Sequence, residues 1–139
     1  MIHIVLVSHS RQLAEGLAEL VRYMAPPDLT VAPVGGVEDN RGGVHFGTNA
    51  LAIVAAIQSN PSPDGVIILV DLGSAVLSAE TAVDMLEPEL QARCIISNAP
   101  LVEGAILAAI EAGLDRTLAE INEAAEAVIR VAKVMPREG

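Results

Sequence analysis

Short apolar runs alternate with stretches of helical spacing along this chain, and that alternation restricts it to a parallel sheet covered by helices. The first run, Ile2-His3-Ile4-Val5-Leu6-Val7, is rich in β-branched residues and stops at the polar triplet Ser8-His9-Ser10, the pattern of a strand buried on both faces. From Arg11 the apolar positions Leu13, Leu17, Leu20, Val21 and Met24 recur at helical intervals until Pro26-Pro27, which cannot continue a helix. Residues 30–34 predict a second strand. A second helix is expected from Thr48, taken as its N-cap, through Leu51, Val54 and Ile57. Val66-Ile67-Ile68-Leu69-Val70 is the clearest strand, and Val76, Ala79, Val83 and Leu86 mark a third helix after it. Residues 93–96 predict a fourth strand, Val102 to Ile110 a fourth helix closed by Gly113, and residues 118–132 a last amphipathic helix.

Four strand–helix alternations imply right-handed crossovers and a three-layer α/β/α domain with strand order 2-1-3-4. Residues 1–135 read as one domain and 136–139 as a frayed tail. In such a sheet ligands bind beyond the carboxyl ends of the strands where the order reverses. That place lies between the loops after Val7 and Val70. The stretch from Gly35-Gly36 through Asn40-Arg41-Gly42-Gly43 to Phe46 has no periodicity, and a connection this long is expected to serve function.

Composition removes several classes. The 139 residues carry 8 Lys+Arg against 18 Asp+Glu, a net charge of -10, so no basic stripe is available to neutralise nucleic-acid phosphates. The N-terminus lacks a basic region and its apolar run is too short to cross a bilayer; no membrane contact and a cytoplasmic location are expected. One Phe, one Tyr and no Trp argue against flavins or sugars held by stacked rings. Cys94, the sole cysteine, reads as a small buried hydrophobe in a reducing compartment.

The topology brings His9 and Asp71 to one point. A histidine accepts a phosphoryl group through the lone pair of one ring nitrogen while the other carries the proton, and Asp71 can fix that tautomer by accepting the proton's hydrogen bond. Gly73, Ser74 and Ala75 open a helix whose first N–H groups suit phosphate oxygens. Thr48 is a further candidate phosphate donor. The residues alone leave a second reading open, in which His9 is a solvated loop histidine and Asp71 the cap of the third helix. Arg11 and Arg41 are placed in loops as surface charges that could offset acidity at the site. His45 is expected to face solvent, His3 to be structural, Asn98 to sit in a turn, and Glu103 and Glu111 to be exposed helix charges.

Five segments also carry a family resemblance. They are Val7-Ser8-His9-Ser10 with Leu13-Ala14-Glu15-Gly16 behind it, Gly35-Gly36, Phe46-Gly47-Thr48, and Asp64-Gly65 leading to Val70-Asp71-Leu72-Gly73-Ser74-Ala75. In that order they resemble the mannose-type EIIA phosphocarriers over residues 1 to about 112. Leu72-Gly73-Ser74-Ala75, where sugar-transporter relatives have Gly-Gly-Ser-Pro, favours the branch serving phosphoenolpyruvate-dependent dihydroxyacetone kinase. The resemblance implies a relay from phosphoenolpyruvate through enzyme I and HPr to His9, then to ADP on a separate kinase subunit. It also implies a homodimer and no cofactor or metal of the chain's own. A sugar-transporter component and a regulatory phosphohistidine protein are the alternatives within the family. A metal-dependent chelatase or hydrolase would need a second ligand, for which only His45 offers itself.

Overall fold

A computed structural model describes residues 1–137. The elements run β1 (His3–Ser8), α1 (Arg11–Met24), β2 (Thr30–Gly35), β3 (Val37–Glu38), β4 (Val44–His45), α2 (Ala50–Gln58), β5 (Val66–Val70), α3 (Gly73–Asp84), α4 (Pro88–Gln91), β6 (Cys94–Ile96), α5 (Leu101–Ala112) and α6 (Leu118–Ala127), with a 3-10 turn at Val128–Arg130. The main sheet is parallel, ordered β2-β1-β5-β6. In the numbering of the four predicted strands this is 2-1-3-4, as expected.

Side-chain alternation divides the core in two. Ile4 and Leu6 of β1 with Ile67 and Leu69 of β5 pack under α1, α5 and α6 beside Leu17, Val21, Ala105, Ala108 and Ile121. Val5, Val7, Val66, Ile68 and Val70 point the other way, onto Ile53 and Ile57 of α2 and Ala75, Ala79 and Ala82 of α3. Both central strands are buried along their length, which explains their apolar runs at residues 4–7 and 66–70.

The structure differs from the sequence expectations at several boundaries. Asn49, not Thr48, caps α2: its Oδ1 accepts from Ala52 N, because the Thr48 hydroxyl is engaged with Ser78 Oγ at 2.7 Å. The long connection contains a hairpin, β3 against β4. Its turn is wound around Asp39, whose Oδ1 accepts from Arg41 N and Gly43 N while Oδ2 meets His45 Nε2 at 2.6 Å. Two-residue strands leave no alternation to read. The fourth strand begins at Cys94, after a short α4 that the sequence reading omits. Gly113 ends α5 in right-handed conformation, with φ -80°. Its need is spatial, since a Cβ there would lie 3.0 Å from Pro26 Cγ. The last helix stops at Ala127. Residues 136–137 carry no regular structure, and the remainder of the expected tail lies outside the described residues. Cys94 is half-buried, donating to Leu90 O, and burial pushes its thiol up against the nearby Arg93 charge.

His3 is structural, as expected, and it ties three elements together. Asn60 Nδ2 donates to Thr30 Oγ1 at 2.9 Å, the Thr30 hydroxyl donates to His3 Nδ1 at 2.7 Å, and His3 Nε2 donates to Ala56 O at 2.9 Å. A carbonyl only accepts, so the tautomer is fixed as Nε2–H. Burial pushes the His3 pKa below its ordinary 6.5, against the pull of the bonds to Ala56 and Thr30. The unfolded chain therefore takes up this proton more readily than the folded one, and stability declines as pH falls below about 6.5. His3→Gln is expected to flatten the fall in urea midpoint between pH 7 and 5. Gly104 supplies a second test: a Cβ there would lie 2.5 Å from Ala99 Cβ and 3.0 Å from Leu69 Cδ2. Gly104→Ala is expected to lower the unfolding free energy by about 1–2 kcal/mol, crowding outweighing the ~1 kcal/mol helix-propensity gain.

Candidate phosphohistidine site

β1 and β5 lie side by side with Val7 opposite Val70, and the ladder extends one bond further, from Asp71 N to Val7 O at 3.1 Å. The residues that follow each strand are thereby brought together at the switch point of the sheet. His9 Nδ1 lies 2.9 Å from Asp71 Oδ1. The other carboxylate oxygen, Oδ2, accepts from His9 N at 2.9 Å and from the Ser8 hydroxyl at 3.0 Å, while Leu72 N donates to Oδ1 at 2.7 Å. Burial opposes the charge on Asp71, but these bonds from the His9 backbone, the His9 ring, Ser8 and Leu72 together hold its pKa below the ordinary 3.8.

An ionised carboxylate only accepts, so the proton of a neutral His9 ring resides on Nδ1. Nε2 then offers a lone pair, and the Ser74 hydroxyl, 2.8 Å away, is the group that donates to it. The His9 side chain is 25% exposed against 14% for Asp71: the carboxylate is covered while the ring remains more open to solvent. Ser74 lies in the first turn of α3, and Leu72 is the helix's N-cap residue without a side-chain cap. Asp71 is therefore the ring's partner and not the helix cap.

The remaining candidates divide between this site and the rest of the fold. Gly73 and Ser74 occupy the first two positions of α3, whose N–H groups have no partner within the helix. Ala75 N already donates to Leu72 O at 3.0 Å, and its methyl is buried in the core. Thr48 is bonded to Ser78, one turn further along α3 than Ser74. Arg11 is turned toward Gly35 O and Glu38 Oε1, both at 3.0 Å; Arg41 is exposed on the hairpin turn. His45 is exposed and pairs with Asp39. Asn98 N donates to Glu126 Oε1. Glu103 meets Lys133 and Glu111 meets Arg116, at 3.0 and 3.3 Å.

Two features of the site are absent from the sequence reading. The buried Ser8 hydroxyl stands directly on Asp71, and Gly47 N donates to His9 O at 2.9 Å, fastening the end of the hairpin loop to His9. Gly47 has φ +152°, and a Cβ there would lie 2.9 Å from Val37 Cγ2, so only glycine passes here without strain. The Phe46-Gly47-Thr48 segment carries the one signal for it. Among the described residues, no three His, Cys, Asp or Glu side chains converge as a metal site requires.

Because the Asp71 pKa is depressed on folding, its contribution to stability is fully present above about pH 3.8 and is lost as pH falls through its lower folded value. Asp71→Asn is expected to lower the unfolding free energy by about 1–3 kcal/mol at pH 7. In urea titrations the gap between variant and wild type narrows as pH falls from 4 to 2.

Comparison with known proteins places the chain in a family. A family described as "PTS system fructose IIA component" (EIIA-man) matches residues 3–122. A Listeria innocua protein, "PEP-dependent dihydroxyacetone kinase 2, phosphoryl donor subunit DhaM", is 44% identical over 111 residues, covering 80% of this chain and 86% of its own. The Escherichia coli "PEP-dependent dihydroxyacetone kinase, phosphoryl donor subunit DhaM" is 39% identical over 132 residues, 91% of this chain. The chain spans only 28% of that relative's length. A crystal structure of "unknown function protein EF1359" superposes with a TM-score of 0.77 at 37% identity, over 90% of this chain and 92% of its own. A match that takes in every strand of the main sheet and both loops of the site leaves one assignment, and the chain belongs to the EIIA-man family.

Proposed function

We propose that this chain is a phosphoryl carrier of the phosphoenolpyruvate phosphotransferase system, with His9 as the residue phosphorylated and Asp71 as the residue that orients it. The observation that carries the reading is the His9 ring itself: Nδ1 is bonded to an ionised carboxylate and Nε2 has its lone pair directed outward at a single hydroxyl. The donor is HPr, charged by enzyme I from phosphoenolpyruvate. The acceptor is ADP held on a dihydroxyacetone kinase subunit, a role supported by relatives named as the phosphoryl donor subunit of that kinase. The chain acts as a homodimer in the cytoplasm; no described helix is long and apolar enough to cross a membrane. It holds no cofactor of its own beyond the phosphoryl group in transit.

The chemistry balances without a separate acid or base. The Nε2 lone pair attacks the phosphorus of the donor's protonated phosphohistidine, the Nε2–P bond forms, and the donor N–P bond breaks to leave a neutral imidazole. Positive charge moves onto the His9 ring, whose Nδ1–H points at Asp71. Ser74, having lost the lone pair it served, turns its hydroxyl to a phosphoryl oxygen, and the Gly73 and Ser74 N–H groups receive the others at the positive end of α3. Attack by a terminal oxygen of ADP on the same phosphorus then breaks Nε2–P and restores the neutral ring. Such transfers depend mainly on positioning and charge stabilisation.

Incubation with phosphoenolpyruvate, enzyme I and HPr, followed by intact mass analysis, tests the reading. Wild type is expected to gain one acid-labile phosphoryl group and His9→Ala none. Asp71→Asn, whose amide can donate to Nδ1 and displace the proton to Nε2, is expected to be labelled at least about 100-fold more slowly. An unlabelled wild type, with HPr shown competent on another carrier, would sink the proposal; with a labelled wild type, dihydroxyacetone phosphorylation in the presence of the kinase subunits assigns the acceptor.

A further inference from the structure

The Ser8 hydroxyl takes no part in the chemistry above, yet it is fully buried at the end of β1 and in contact with Asp71. Its bonding is directional. Ser10 N donates to Ser8 Oγ at 3.0 Å, which occupies a lone pair, and the Ser8 proton goes to Asp71 Oδ2 at 3.0 Å. An N–H has no acceptor capacity, so the order Ser10 N–H to Ser8 Oγ–H to Asp71 cannot reverse. Ser10 is itself the N-cap of α1, accepting from Leu13 N through its side chain and from Ala14 N through its carbonyl. The start of α1 is thus linked by one hydroxyl to the carboxylate that faces the His9 ring.

We propose that Ser8 is a positioning residue for phosphoryl acceptance: by donating to Oδ2 it fixes the Asp71 carboxylate so that Oδ1 stays on His9 Nδ1 and the lone pair stays on Nε2. This rests on the carrier reading for its kinetic consequence, but the geometry is a property of the resting protein. Oδ2 has two donors, the Ser8 hydroxyl and His9 N, and Oδ1 has Leu72 N and the ring. With Ser8 removed, each oxygen retains a backbone donor and the group stays in place on average. Its plane is no longer held from the α1 side, and the ring's partner becomes both mobile and more basic, because one of the bonds that lowers its pKa is gone. His9 is the titratable side chain in contact with Asp71. Arg11 on α1 is directed to Gly35 O and Glu38, and the first turns of α2 and α3 contain no acidic residue.

The test compares wild type, Ser8→Ala, Ser8→Thr and Ser10→Ala, each confirmed folded by thermal unfolding. Nitrogen-15 NMR of the His9 ring at neutral pH is expected to show Nδ1–H and an unprotonated Nε2 in wild type and a mixture of tautomers in Ser8→Ala. Phosphoryl acceptance from HPr falls by roughly tenfold in Ser8→Ala, and its acid limb moves to higher pH. Ser8→Thr, which keeps the hydroxyl, restores both. Ser10→Ala weakens the α1 cap and lowers the melting temperature but keeps the Ser10 N–H, so it leaves tautomer and acid limb where they were. Should Ser8→Ala not fold, Ser8→Cys, near in size and a weaker donor, is expected to displace both readouts in the same direction. Wild-type tautomer and acid limb in the variant lacking the hydroxyl, or equal displacement in Ser10→Ala, would overturn the proposal. A wild type that accepts no phosphoryl group would instead defeat the carrier reading, and the NMR comparison would still decide the role of Ser8.

Discussion

One carboxylate organises the functional end of this molecule. Asp71 stands where β5 leaves the sheet and receives the Ser8 hydroxyl, the His9 backbone, the His9 ring and its neighbour Leu72 N. Three of the four donors belong to the end of β1, so a single side chain closes the gap that the reversal of strand order opens between two parallel strands. Burying a charge is costly unless its oxygens are bonded. Asp71 meets that condition with donors the backbone already supplies, and so it can stay ionised beside a ring that needs an acceptor-only partner.

The sheet makes this arrangement possible by being rigid where the site is not enclosed. β1 and β5 are the two central strands, covered on one face by α1, α5 and α6 and on the other by α2 and α3. Their register fixes Val7 opposite Val70, and neither strand can slip by one residue without exchanging the two core faces. The separation of His9 from Asp71 is therefore set by the alternating apolar pattern of the two strands that lead into the site. Alanines on α3 and α5 and the absence of a side chain at Gly104 bring the helices close to the sheet, so the functional loops emerge from a thin, firmly packed layer.

What the sequence disclosed follows from how far each signal extends. The four strands of the main sheet and the helices between them were legible because each repeats an apolar period over five or more residues or is bounded by Pro, Gly or Asp. The pairing of His9 with Asp71 was legible because it follows from strand order alone. The hairpin of Val37–Glu38 with Val44–His45 was not, since its stability comes from Asp39 wrapping a turn and its strands are too short to show a period. The choice of Asn49 over Thr48 as helix cap depended on Ser78, thirty residues away, taking the threonine hydroxyl. The fate of the Ala75 N–H and the direction of the Ser8 proton likewise depend on tertiary geometry that no local pattern encodes.

On the carrier reading proposed above, the polar groups around Nε2 suit a residue that must lose its phosphoryl group as readily as it gains it. A clamp of arginines would stabilise phosphohistidine through charge-assisted bonds, and each increment of that stability would be subtracted from the drive to the next acceptor. Here the nearest arginine in sequence, Arg11, is bonded to Gly35 O and Glu38, and Lys133, the one lysine, pairs with Glu103 on α5. The donors left at the ring are neutral: the Ser74 hydroxyl and the free N–H groups opening α3. Neutral donors orient a phosphoryl group without neutralising it, and a net charge of -10 on the chain adds a general repulsion. A group held by orientation more than by charge remains a good leaving group, which is what separates a carrier from a protein that merely stores phosphate.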